Sequence, residues 1–351
     1  MARRVISRIT RNAKPLLKPR LFTIPDFWER NNKVLVLRKV GGLGDILMHR
    51  MLFYDMKKLI PDCQISFACP GRYHDVVRDH PYIDLLLDSD KVSFDHILTP
   101  EDRKRGKFSI TDYIVSYITT VICGRTEMTF APFAGPHRSD IWANHCGFNL
   151  TNHDMHIRLT DEEKKEGKEI IEQHRNRSGK CVILSPASAM IGKNLDDDQM
   201  IGVIKGLHER GYFVAVLHDN GLPVLQKHDV PMIYKPGLRK WLGIIHEADY
   251  VISVDTATLH ASGGLGRPTI GIFSWASGAT YCKYYPTVEV VQIERKLENG
   301  WRCPCYNWSS CPLQKQEEHR KPCITDITPQ MVLTAFDKLI GKTKNLPIIS
   351  I

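Results

Sequence analysis

No stretch of this chain approaches the 18 consecutive apolar residues that a membrane-spanning helix needs. Short-period repeats and low-complexity segments are also missing, which excludes solenoids and other repeat arrays. The N-terminal arginines are not followed by an uninterrupted apolar core, so no secretory signal is expected. Among ten cysteines there is no Cys-x-x-Cys pair; six are scattered and four cluster late, as expected of a reducing, cytoplasmic setting. Acidic residues are in deficit, 39 against 48 lysines and arginines, for a net charge of +9. The imbalance sits mostly at one end. Residues 1–32 hold Arg3, Arg4, Arg8, Arg11, Lys14, Lys18, Arg20 and Arg30 against Asp26 and Glu29, a net +6. This basic arm, with Val5, Ile6 and Ile9 along one edge, suits an anionic membrane surface, DNA or plain solvation.

What remains is the composition of an ordinary folded protein, 42% hydrophobic and 25% charged, long enough at 351 residues for two domains. From residue 33 onward strands and helices alternate. A strand at 34–37, a helix at 46–60, a strand at 64–68, a helix at 73–79 and a strand at 83–87 read as βαβαβ, which requires parallel strands. A helix at 113–121 and a weak strand at 128–131 follow, then a histidine-rich stretch, 134–158, without an assignable element. After a helix at 162–173 and a polar linker at 175–180, the alternation repeats to the end of the chain. The expected fold is α/β, with two doubly wound Rossmann-like domains facing across a cleft. The boundaries read as an arm at 1–32, a first domain at 33–174, a second at 175–328, and a C-terminal helix and tail at 329–351.

Two loops carry the chemistry. In Val251-Ile-Ser-Val-Asp255-Thr256-Ala257-Thr258-Leu-His260 a buried strand ends on a carboxylate and passes into a helix through hydroxyls. In Val34-Leu-Val-Leu-Arg-Lys-Val-Gly41-Gly42-Leu-Gly44-Asp45 a strand leads into a glycine turn and an acidic helix start. Ligands bind at such edges of parallel sheets, and helix N-termini there offer unpaired N–H groups to anions. As an ordinary structural feature, Asp45 would simply cap its helix.

The Asp-Thr-Ala-Thr-Leu-His run, followed by Gly264-Leu-Gly-Arg-Pro-Thr269, resembles the donor-site signature of the ADP-heptose:lipopolysaccharide heptosyltransferases. The Gly-Gly-Leu-Gly-Asp loop is similar to that family's opening motif, and the resemblance covers roughly residues 33–341. It implies a GT-B fold and inverting, metal-independent transfer of a sugar from a nucleotide diphosphate, ADP-linked, to a lipopolysaccharide-type glycan at the inner membrane face. It implies Asp45 as the base that takes the acceptor proton. Lys193, in Ser185-Pro-Ala-Ser188-Ala-Met-Ile-Gly-Lys193, is implied on donor phosphate with Ser185 and Ser188 as hydroxyl donors, although the aromatic residue usual after this lysine is missing. Thr256 and the Ala257 and Thr258 amides would meet the diphosphate, with Asp255 and His260 on the donor or its loop. The family also implies that the last helix packs back on the first domain. An acceptor base in DNA and a non-catalytic binding role are the rival readings.

Two acidic runs, Asp88-Ser-Asp90 and Asp196-Asp-Asp198, have no metal role expected of them; the second suits a helix cap. Cys303, Cys305, Cys311 and Cys323 fall within 21 residues and are candidate ligands for a structural zinc ion, with free thiols or disulfides as alternatives.

Overall fold

A computed structural model describes residues 33–38, 41–93, 108–109, 115–118, 136–146, 148–298, 300–305, 311–313 and 320–343. The basic arm at 1–32 and the expected strand at 128–131 lie outside the described residues. Two all-parallel sheets organise the rest. The first has the order β3-β2-β1-β4, built from β1 (Lys33–Leu37), β2 (Gln64–Cys69), β3 (Leu85–Asp88) and β4 (Val115–Ile118). The second contains β5 (Cys181–Ser185), β6 (Phe213–His218), β7 (Met232–Tyr234), β8 (Tyr250–Val254), β9 (Thr269–Phe273) and β10 (Val288–Gln292), in the order β10-β9-β8-β5-β6-β7. Every residue of β5, β8 and β9 is buried, as expected where helices cover both faces of a parallel sheet.

The topology fixes where ligands can enter. In the second sheet the chain runs outward from β5 through β7, then returns to start again at β8 beside β5. That reversal is a topological switch point, and the crevice past its strand ends is the natural binding edge. The first sheet reverses between β1 and β4. Arg38 follows β1 there, while Ser185 and Asp255 mark the ends of β5 and β8.

Several elements differ from their sequence reading. The segment expected as a helix at 113–121 provides β4, paired Val34 to Val115 beside β1. Its valine, isoleucine and tyrosine content favours a pleated surface, and the open edge of β1 accepts it. The helix expected at 46–60 divides into α1 (Leu43–His49) and α2 (Leu52–Leu59). At the division the buried Arg50 guanidinium bonds the Val76 and Met155 carbonyls and pairs with Asp79. Residues Gly71–Val76 form a 3-10 turn in place of the helix at 73–79. In the unassigned stretch, α3 (Arg138–His145) starts from a His137–Asp140 capping box.

Across the middle of the chain, α4 (Asp161–Gln173) packs on α6 (Leu238–Glu247), with Gly167 against Gly243. From α6, Arg239 pairs with Glu163 and with Asp79, tying both halves to one ion-pair network. In the second half, α5 (Asp197–Glu209) is capped by Asp196, which accepts the Gln199 N–H at 2.7 Å. The next helix of the site, α7 (Ala257–Gly264), begins directly past Asp255 and Thr256.

The final helix, α8 (Pro329–Thr343), differs from the expectation of packing back on the first domain: among the described residues it packs on α5, β9 and β10 of the second half. Val332, Leu333, Phe336 and Leu339 complete that half's core. Gly202 and Gly206 leave room for Pro329 and Leu333, so the apolar stripe of α8 has its groove on the second sheet.

Candidate functional site: two acidic loops in contact

The two loops singled out from sequence meet. Gly44, in the first turn of α1, lies against α7 so closely that an added Cβ would stand 2.7 Å from His260 Cδ2. Gly41 has φ +136°, a conformation that favours glycine, and a side chain there would strike Arg38 and Asp45. Gly42 has open space around it and an ordinary φ of −80°. Of the three loop glycines, Gly41 and Gly44 are therefore dictated by geometry.

Asp45 caps α1 in part, since its Oδ2 accepts the Gly42 N–H at 3.2 Å. Its main partners are cations. Arg38 Nη2 donates to Oδ2 at 2.8 Å, and Arg138 Nη1 pairs with Oδ1. Burial alone would raise the Asp45 pKa, but Arg138 and Arg38 outweigh it and hold the carboxyl well below the usual carboxylate range. Beneath it His49 donates from Nδ1 to the Asp45 carbonyl at 2.8 Å and stacks on Trp142 at 3.7 Å between centroids. Burial, with Arg38 adding to it, pushes the His49 pKa down to about 3, so the ring is neutral. Arg38 also lies over the Trp142 ring, 5.2 Å from its centroid.

Across the contact, Asp255 Oδ2 accepts from Lys193 Nζ at 2.6 Å. The Asp255 carboxyl pKa is lowered: burial alone would raise it, but Lys193 and then His260 beside it outweigh that. His260 Nε2 is 4.0 Å from Asp255 Oδ1, and its Nδ1 is 3.0 Å from the Tyr285 hydroxyl. Burial lowers the His260 pKa to about 4. Thr256 is the N-cap residue of α7, but its side chain makes no capping bond. Ala257 and Thr258 occupy the first turn, where backbone N–H groups have no intrahelical acceptor. Ser185 is buried at the end of β5. Ser188 is engaged within its own loop: its N–H donates to Asn194 Oδ1 at 2.8 Å, and its hydroxyl to the Met190 carbonyl at 3.1 Å.

Three neighbours were not evident from sequence. Arg38 and Arg138 clamp Asp45, and Trp275 offers its ring to Lys193, 5.4 Å from Nζ, and to Lys321 at 5.0 Å. The aromatic partner missing after Lys193 thus arrives from beyond β9. Arg138 also has its guanidinium 5.0 Å from the centroid of Tyr281. Nearby, Asp140 of α3 accepts from the Tyr284 hydroxyl at 2.8 Å and pairs with Lys283 at 3.3 Å, joining the halves above the site.

The remaining acidic run is structural here: Asp88 Oδ1 accepts the Gly71 and Asp90 N–H groups, each at 3.0 Å. Cys303, Cys305, Cys311 and Cys323 line one small cavity.

No protein-family model and no curated protein matches this chain. The fold nevertheless recurs in solved structures. ADP-heptose lps heptosyltransferase II of E. coli superimposes over 89% of this chain and 99% of its own, with TM-score 0.62 and 12% identity. A glycosyl transferase family 9 protein from Veillonella parvula covers 89% and 97%, with TM-score 0.61 and 13% identity. E. coli heptosyltransferase WaaC with ADP covers 88% and 99%, with TM-score 0.56 and 13% identity. The chain therefore has the GT-B fold of the heptosyltransferases, over close to nine-tenths of its length.

Proposed function

We propose that this protein is an inverting glycosyltransferase that moves a heptose-like sugar from a nucleotide diphosphate, ADP-linked, to a glycan hydroxyl. The observation that carries this reading is the contact of two acidic loops, one from each sheet's switch point. At that contact Arg38, Arg138 and Lys193 outnumber Asp45 and Asp255. A surplus of cations, Arg38 buried and Arg138 and Lys193 half-buried, is suited to a diphosphate, whose charge grows as it leaves. The ADP assignment rests on likeness to a protein solved with ADP.

In this reading Lys193, Thr256 and the first-turn amides of α7 hold the diphosphate, and Asp255 aims Lys193. The acceptor oxygen bonds to the anomeric carbon as the carbon–oxygen bond to the β-phosphate breaks, with that electron pair leaving on phosphate. Asp45 takes the hydroxyl proton. A carboxylate clamped by two arginines is a weak base. Incoming diphosphate competes for Arg138, however, and loosening that pair raises the basicity of Asp45 as the donor arrives. Acceptors of lipopolysaccharide type, met at the inner membrane face through the basic arm, complete the proposal. Among the described residues no helix is long and apolar enough to cross a membrane.

The test is a panel of ADP-, UDP-, GDP- and CDP-sugars, scored by thermal shift and by slow donor hydrolysis. The expected result is selective stabilisation by ADP and ADP-heptose, weakened in Lys193→Ala and Thr256→Ala. No shift with any nucleotide sugar, or unchanged affinity in both variants, would overturn the assignment of the donor loops.

A further inference from the structure

Away from the cleft, the last quarter of the chain gathers four thiols in one place. Cys303, Cys305, Cys311 and Cys323 line a single small cavity with Trp301 and Leu313. None of the described cysteines is in a disulfide. Four thiols this crowded cannot ionise together unless a cation joins them. Arg295 and Lys321 stand on the same cavity wall, with Arg295 also ion-paired to Asp326. A divalent ion held by four thiolates carries a net charge of −2, and two cations beside it offset that charge.

We propose that Cys303, Cys305, Cys311 and Cys323 bind one divalent first-row transition-metal ion as a tetrathiolate, and that the bound ion braces the donor loop through Trp275. Among the described residues no group of three or more His, Cys, Asp or Glu side chains is already arranged to hold a metal. Binding therefore turns the thiols inward, releasing four protons to solvent as four thiolates form, in the usual coupling of metal binding to local folding. The route to the cleft is short. The Cys305 N–H donates to the Trp275 carbonyl at 3.0 Å, and the Trp275 ring carries Lys321 on one contact and Lys193 on another. Lys193 is in turn the partner of Asp255. The bracing half of the proposal rests on the donor-site reading; the metal half does not.

The experiment uses the full chain, purified without chelator and under anaerobic conditions. Elemental analysis is expected to find one zinc or one iron per chain, the two distinguished by the measurement itself. After stripping, added cobalt(II) should give the intense thiolate-to-metal absorption of a tetrathiolate site. Cys303→Ser with Cys323→Ser should abolish both signals, while Cys63→Ser, buried in the first half, should keep them. Substoichiometric metal together with no cobalt spectrum overturns the site, as does a Cys303–Cys323 disulfide found by mass spectrometry in the native protein. Neither of these readouts on the unaltered protein depends on a variant folding. ADP titration of the metal-loaded and stripped protein then tests the brace. Several-fold weaker binding after stripping supports it, and equal affinity overturns it while leaving the metal site standing. Metal-loaded protein that ignores ADP would sink the donor assignment instead.

Discussion

The two acidic loops make a controlled comparison within one molecule. Each follows a strand at a switch point, each starts a helix, and each rests a neutral histidine beneath its carboxylate. They differ in how the charge is held. Asp45 keeps 12% of its side chain exposed and is shared by two arginines, so it is mobile in principle between partners. Asp255 keeps 5% and is matched by one lysine, with His260 closing its other side. An over-supplied, partly open carboxylate can exchange a cation for a substrate. A one-to-one enclosed pair cannot do so without leaving a buried charge bare. The same residue type, inside a helix's first turn in one loop and at a strand's end in the other, is thus fitted for reaction in the first and for positioning in the second.

The largest effect should come from removing each carboxylate in turn. Asp45→Asn is expected to retain or tighten ADP binding, because Arg38 and Arg138 lose their counter-charge, while transfer falls about 100-fold or more. Asp255→Asn should show the opposite division. It frees Lys193 from its aim and leaves that half-buried ammonium without its carboxylate, so ADP affinity falls and unfolding free energy drops by about 1–3 kcal/mol. Binding by calorimetry, single-turnover transfer and denaturant melts separate these terms. If both variants lose affinity and turnover in the same proportion, the division of labour is wrong.

Much of this comparison is legible in the sequence. The strands of both motifs, the helix starts at Asp45 and Thr256, and the capping role of Asp196 follow from local periodicity and polar punctuation. Resemblance implied Lys193 on donor phosphate, but its pairing with Asp255 was not legible, since 62 residues separate the two. Arg138 was illegible for a plainer reason. It sits in a stretch whose histidines and prolines show no helical period, and its helix is announced only by an unusual histidine cap. Strand β4 misled because valine and isoleucine at 114–118 satisfy a helical stripe as well as a strand, and only the vacant edge of β1 decides between them. The placement of α8 depended on glycines at 202 and 206 in another helix, which no local window can register.

A subtler test uses the glycines of the first loop. Gly44→Ala puts a methyl group 2.7 Å from His260 Cδ2, at the contact between the halves, and should cost about 1–3 kcal/mol as overpacking does. Gly42→Ala meets nothing within 4 Å and should be neutral or stabilising by up to about 1 kcal/mol. Chemical denaturation of the two variants side by side checks this. Equal losses would mean that the loops do not touch as described.

The smallest effect expected concerns pH near neutrality. Asp45 and Asp255 both have depressed folded-state pKa values, so each contributes stability above the unfolded value of about 3.9 and loses it only as pH falls below that. His49 and His260 are lowered to about 3 and about 4. Each remains neutral in the folded chain while its unfolded counterpart protonates near pH 6.5, so unfolding takes up protons below that pH. Stability should therefore be level with respect to these four groups from about pH 7 upward, and decline as pH drops from about 6.5 toward 4. The acid side of the transfer rate should show no step from Asp45 while the protein stays folded. An acid limb near pH 6 that disappears in Asp45→Asn, measured on residual activity, would show that substrate binding frees the carboxylate from both arginines. That result would mean that the bound donor loosens Arg38 as well as Arg138, and so raises the basicity of Asp45 further than the loss of one arginine does.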